Sequence, residues 1–369
     1  MEKLIENLLA SFFPALISAW VIIRTTNYRG SRFLDRNVKG IQKYHAVPVP
    51  RIGGVAFLVG LACGGLYFGL KDDNILVLAK WAGVAVLPVF LGGIFEDIFE
   101  NVTPRNRLLL AFISAAIAYY ELDAGLLSIG WPWFDENILA FPGISLVITM
   151  LMVGGLSQAT NIIDGFHGLL IGISILALVA FSLVAHFAGN DWLALYMSIM
   201  IGALLGVFVF NFPHGGIFLG DGGAYLVGFL LAIFALLLVR NHEISPWFPL
   251  LVLVYPVFET LFSIYRKKVM RRRDAMAPDR LHLHMLIYHR VIPKLKGAIP
   301  LNRNAATATL IWVIGGAPVV PAVVWWNNTT ALILSIVVYC VGYVFLYFSI
   351  IKFRIPPRRS SLQGNSPQV

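Results

Sequence analysis

Residues 81–104 read WAGVAVLPVFLGGIFEDIFENVTP. The first half is a greasy run of the kind a lipid bilayer accepts, and the second half sets Glu96, Asp97 and Glu100 at its end. A helix needs about 20 mostly apolar residues to cross the hydrocarbon. Eleven segments fit that pattern, near 5–23, 52–70, 75–95, 107–120, 138–157, 168–187, 192–210, 223–240, 247–265, 306–326 and 330–351. The expected fold is therefore an all-α integral membrane protein of about eleven transmembrane helices. Three carboxylates at one membrane edge, in a chain with only 19 acidic residues, call for a chemical reason.

Composition points the same way. Of 369 residues, 58% are hydrophobic and 13% charged, with mean hydropathy +0.78. A soluble domain carries about 25% charged residues, so a water-soluble globular enzyme is excluded. Cys63 and Cys340 lie far apart in apolar stretches and read as small packing residues, not a disulfide or metal site. The first apolar segment lacks a basic start and a small-residue cleavage site, and reads as a permanent span. No internal repeat is visible. Residues 1–355 read as one polytopic domain, and the polar tail 356–369 (PPRRSSLQGNSPQV) as disordered and cytoplasmic.

Lys and Arg orient such a chain. With the N-terminus outside, the inner loops and the tail hold 24 of the 28 basic residues. The outer loop 121–137 has Glu121, Asp123, Asp135 and Glu136 and no basic residue. The N-terminus is expected in the periplasm and the C-terminus in the cytoplasm. The net charge of +9 then belongs to the cytoplasmic face, where it orients the chain and attracts anionic headgroups. Nothing resembles a nucleic-acid module, so no nucleic acid is expected as a partner.

On that topology every unusual polar cluster falls on the cytoplasmic side, in loops 24–51, 96–107, 158–167, 211–222 and 266–305. In order these are KYHAVPVPRIGG, the Glu96–Asp97–Glu100 cluster, ATNIIDGFHGLL, FNFPHGGIFLGDGGAY and APDRLHLHM. A charge at a helix end often only marks the interface, and an Asp-Gly pair can be a mere turn. Two such turns on one face, at Asp164 and Asp221 and each accompanied by Asn, point to ligands instead. Carboxylates with amide oxygens and no Cys suit a hard cation, Mg²⁺ or Mn²⁺. Arg and His on a basic rim can hold phosphate oxygens. Acidic metal ligands beside phosphate donors at a membrane face point to phosphoryl transfer between a soluble nucleotide and a lipid.

The ordered set, from Asp35 to His284, resembles the polyprenyl-phosphate N-acetylhexosamine-1-phosphate transferases (glycosyltransferase family 4), which include phospho-MurNAc-pentapeptide translocase. The resemblance implies a bundle of ten or eleven helices in the bacterial inner membrane. It implies transfer of sugar-1-phosphate from a UDP-N-acetylhexosamine to undecaprenyl phosphate, with Mg²⁺, releasing UMP. By the same likeness Glu96 and Asp97 stand for the family's paired aspartates near the lipid phosphate. Asn161 and Asp164 match its N-x-x-D-G element, and Asp221 the metal-ligating Asp of F-x-G-D-x-G, with Asn161 as the second expected metal ligand. Asn211 and Phe218 fall where the family contacts uridine, as does His167. Arg280, His282 and His284 match P-D-R-x-H-x-H near the diphosphate, and His45 with PRIGG matches the first loop.

This chain departs from the family in three places. Glu96 replaces the first aspartate, His167 stands where a second Asp is common, and Met285 follows His284 where relatives often carry another His. The O-antigen-initiating branch fits better than the pentapeptide translocase. Asp97, with Glu96, is expected to deprotonate the lipid phosphate or to position it, and Asp164 to act as nucleotide contact or catalytic carboxylate. The rival class is a transporter of an anionic or lipid-linked substrate, which would carry polar groups near midspan; only Glu259 answers to that. A CDP-alcohol phosphotransferase is excluded, because Asp164-Gly165 is followed by Phe, His and Gly. The amino sugar and a homodimeric state stay open.

Overall fold

A computed structural model describes residues 2–27, 34–35, 48–71, 73–240, 243–270, 281–295 and 301–352. His45, Arg280 and the tail 356–369 lie outside the described residues. What is described is a bundle of helices with one two-residue strand pair, Leu34–Asp35 against Val49–Pro50. Among the described residues eight helices are long and apolar enough to cross a membrane. Large apolar side chains face outward along whole helices, among them Ile5, Leu9, Phe13 and Ile17 on the first and Leu334, Val338, Val341 and Phe345 on the last. Those outward stripes need a hydrocarbon solvent; the protein is a multi-pass membrane protein.

The other three expected spans are also helical. Gly53–Gly69 has 17 residues. Pro104–Glu121 carries Arg105, Arg107 and Glu121, which lower its hydropathy. The third is broken at Leu253 into Trp247–Val252 and Val254–Tyr265. Helix starts follow local chemistry: Thr103 and Asn302 accept from Asn106 N and Ala305 N, and Pro occupies the first turn at Pro104 and Pro142.

One boundary differs in a way that matters. The segment expected as loop from 158 is helix to Ile163. Its polar residues do not break the helix, because Ser157 donates to Val153 O and Thr160 to Leu156 O inside it. Gln158 and Asn161 therefore project from a rigid helical turn.

Small residues set the packing, as lipid offers no hydrophobic push between helices. Gly202 and Gly206 of the Asp191–Asn211 helix meet the backbone of Leu8 and Phe12, and Gly60 lies against Ala15 and Ala203. The Gly220–Val239 helix is the hub, with 72% of its apolar window buried against 17% for the last helix. Gly93 and Gly222 let the Asp73–Phe99 helix approach it backbone to backbone. On its other side Thr160 donates to Ala224 O at 2.9 Å. These contacts bring the ends of the Asp73–Phe99 and Pro142–Ile163 helices to the start of the hub.

Candidate active site

The first turn of the hub helix has no cap of its own, since Leu219 precedes it. Its free N–H groups need acceptors, and Asp97 supplies them from the neighbouring helix. Oδ1 accepts from Asp221 N at 2.9 Å and Oδ2 from Gly222 N at 2.8 Å. Arg51 Nε adds an ion pair at 3.2 Å. Gly220, at φ +71°, allows this because a Cβ there would strike Arg51 O and the Asp97 carboxylate. Loop 48–54 is laced alongside, with Gly53 N to Phe218 O and Gly54 N to Leu219 O both 2.8 Å. Asp97 is 1% exposed. Its two neighbours have other tasks: Glu96 accepts from Val102 N at 2.8 Å, and Glu100 pairs with Arg51 at 3.2 Å.

A cavity of about 880 Å³ opens beside this junction. Asp221, Asn161, Asp164, Asn211, Phe218, His167 and His282 line it, so the structure gathers seven of the expected residues around one space. Glu96, Asp97 and His284 are not on its wall. The lining also includes Arg51, Arg107, Gln158, Lys267 and Asn304, none of which sequence reading singled out. Arg51 lies inside the KYHAVPVPRIGG motif, and Arg107 reads in the sequence only as loop charge; their one signal is position beside Gly- and Pro-marked turns.

Both arginines converge on Asp221. Arg107 Nη1 pairs closely with Oδ2, and Arg51 Nη2 lies 3.9 Å from Oδ1. The Arg107 guanidinium also sits 5.4 Å over the Tyr225 ring, whose hydroxyl donates to Gln158. Asp164 ends the Pro142–Ile163 helix, and among the described residues its carboxylate has no side-chain partner. Burial alone pushes its carboxyl up to about 7.

The remaining expected residues divide by what they hold. Asn211 spends both amide groups on backbone, accepting from Gly168 N at 2.5 Å and donating to Ile217 O at 2.6 Å. This clamp sets the His167 ring 5.6 Å from Phe218, while His167 Nδ1 faces Pro213 O at 3.2 Å and the His167 backbone N–H donates to Asn304 Oδ1 at 2.6 Å. The pair leaves two aromatic rings on the cavity wall. His284 is fully buried behind His282, stacked on it at 5.3 Å and 1°. Burial drives its imidazole down to about 3, so it is neutral.

A hard divalent cation fits this donor set. Asp221, Asn161 and Asp164 bring carboxylate and amide oxygens to one wall; among the described residues Asp164 has no side-chain partner to give up, and Asp221 would exchange Arg107 for the cation. Among the described residues no three His, Cys, Asp or Glu side chains form a cage. Mg²⁺ does not need one, since it takes one or two protein carboxylates and completes its shell with water and phosphate oxygens.

The Glycosyl transferase family 4 profile matches residues 80–239, a stretch that holds Asp97, Asn161, Asp164, Asn211 and Asp221. The probable undecaprenyl-phosphate N-acetylglucosaminyl 1-phosphate transferase of Bacillus subtilis (strain 168) is 27% identical over 343 residues, 91% of this chain and 89% of the relative. The undecaprenyl-phosphate alpha-N-acetylglucosaminyl 1-phosphate transferase of Salmonella typhi is 30% identical over 256 residues, 67% of each chain. The protein of the same description in Escherichia coli (strain K12) is 26% identical over 341 residues, 89% of each. The likeness thus extends from the matched core into both flanks, and the chain belongs to glycosyl transferase family 4.

Proposed function

We propose that this enzyme transfers N-acetylhexosamine-1-phosphate from a UDP-sugar to undecaprenyl phosphate, releasing UMP and starting a cell-surface polysaccharide of the O-antigen kind. The observation that carries the reading is the two-ended cavity. Its polar end holds Asp221, Asn161, Asp164, Arg51 and Arg107; toward the opposite helix ends its lining is apolar, with Leu236, Val239, Pro246, Leu250 and Leu253. Asp221 and Val239 sit near opposite ends of one helix, about 27 Å apart at 1.5 Å per residue. A phosphorylated headgroup and the first part of its hydrocarbon chain suit such a space.

In the reaction an oxygen of the lipid phosphate forms a bond to the phosphorus that bears the sugar. The bond from that phosphorus to the bridging oxygen breaks, and the oxygen leaves with UMP. A phosphate monoester has a second pKa of about 6, so the nucleophile is largely dianionic at neutral pH and needs little base catalysis. Arg51 and Arg107 offer planar donors to phosphate oxygens, and electrostatic positioning is the main contribution of the site. Asp97, with both oxygens taken by N–H donors, holds Asp221 in place. Phe218 and His167 flank the uracil. Asp221, Asn161 and Asp164 would hold Mg²⁺, or Mn²⁺, which when bound neutralises charge on the diphosphate and the departing UMP.

The site belongs on the cytoplasmic face of the bacterial inner membrane, where UDP-sugars are, with the N-terminus periplasmic. Its polar groups gather at helix ends, unlike the midspan sites of transporters. The test is UMP release by the purified protein with undecaprenyl phosphate, Mg²⁺ and a panel of UDP-N-acetylhexosamines. Activity needing both lipid and metal, and lowered at least 100-fold in Asp221→Ala, the order expected for loss of a key electrostatic group, is the expected result. Folded protein that releases no UMP from any donor overturns the assignment.

A further inference from the structure

Glu259 is the one carboxylate deep within an expected span, and nothing in the reaction above uses it. It lies on the Val254–Tyr265 helix at 0% exposure. An isolated carboxylate there costs several kcal/mol, yet every oxygen is occupied. Oε1 faces His282 Nδ1 at 2.9 Å and Leu283 N at 3.3 Å; Oε2 accepts from Tyr343 OH at 2.6 Å and from Leu283 N at 3.2 Å. Three elements distant in sequence meet on this one side chain, and the stretch that matched the family, 80–239, contains none of them.

A carboxylate can only accept, so the contact at Nδ1 places the ring proton on that nitrogen. The other nitrogen, Nε2, is then the functional edge. His282 lines the cavity, and among the described residues no group bonds its Nε2. The ring is held by Glu259 at one edge and by the stacked His284 on one face, itself anchored through Nδ1 by Tyr255 OH at 3.3 Å. Orienting a working imidazole through a carboxylate on its far nitrogen is a general device.

We propose that Glu259 is a positioning residue that fixes the tautomer and direction of His282, so that Nε2 meets the UDP-sugar. The inference rests on reading His282 as a contact to the donor's diphosphate or sugar. Tyr343, reaching in from the last helix, completes the carboxylate's set of donors and ties that helix to the His282 loop.

The test is a double-mutant cycle on UMP release, with UDP-GlcNAc and undecaprenyl phosphate each varied and melting temperatures recorded. Glu259→Gln should lower kcat/KM for UDP-GlcNAc on the order of 10-fold and leave the KM for the lipid unchanged. The same substitution in a His282→Ala background should add nothing, because a residue acting through another has no effect once that one is gone. Independent, multiplicative losses overturn the proposal, as does unchanged kinetics in folded Glu259→Gln. If His282→Ala itself behaves as wild type, the reading of His282 fails and takes the proposal with it. Should Glu259→Gln not fold, Tyr343→Phe replaces it: a smaller loss, again absent in the His282→Ala background, is expected, and an additive one overturns the proposal.

Discussion

Asp164 shows how a site residue works against stability. Its carboxyl is raised from 3.8 to about 7 by burial with no compensating partner. The folded state therefore holds a proton that the unfolded state has lost between those values, and stability falls as pH rises through that window. Asp164→Asn removes the titration. Without added divalent cation, its stability advantage over wild type should grow from about pH 4 to about pH 7 and then stay flat, reaching on the order of 1–4 kcal/mol, read from unfolding at each pH. A constant difference across that range would show that the carboxyl is not desolvated. UMP release should fall in the same variant. At Phe218 the expectation is kinetic: Phe218→Ala should raise the KM for the UDP-sugar on the order of 10-fold, as loss of a stacked base does, with a smaller change in kcat. An unchanged KM would remove the uracil from this wall.

At the scale of elements, the critical joint is between the Asp73–Phe99 and Gly220–Val239 helices. A Cβ on Gly93 would lie 2.5 Å from Gly222 Cα, so even Gly93→Ala must push the helices apart. Overpacking of this kind costs roughly 1–3 kcal/mol. It should also pull Asp97 off the Asp221 and Gly222 N–H groups, so Gly93→Ala and Asp97→Asn should depress UMP release together. Asp97→Asn replaces one acceptor oxygen with an amide NH2 facing a donor and removes one of the carboxylates that hold Arg51, which makes it more than a change of charge. A fully active Gly93→Ala enzyme would separate the helix joint from catalysis. The sequence marks Asp97 as an unusual carboxylate but not as a cap on another helix. Its partners lie 124 and 125 positions away, and no local pattern announces a cap supplied by another helix.

For the whole molecule, orientation is the open quantity that a direct measurement settles. In a protein carrying Cys63→Ala and Cys340→Ala, Glu2→Cys should react with a membrane-impermeant maleimide in intact cells. Asn101→Cys, between the Asp97 helix and the next, should react only after permeabilisation; the reverse pattern would turn the site to the outside. Hydropathy made the membrane class and the span positions readable, because it is a sum over neighbouring residues; basic-residue counts set the orientation that the labelling tests. The same local reading singles out Asn161, Asp164, His167, Asn211, Phe218, Asp221 and His282, and all seven line one cavity. Only the tertiary structure decided who touches whom. It set Arg51 and Arg107 on Asp221, spent Asn211 on backbone, withdrew His284 from the wall and placed Glu259 behind His282. Such pairings depend on helix approach distances of a few ångströms, set by glycine contacts between remote segments, and a one-dimensional pattern holds no record of them.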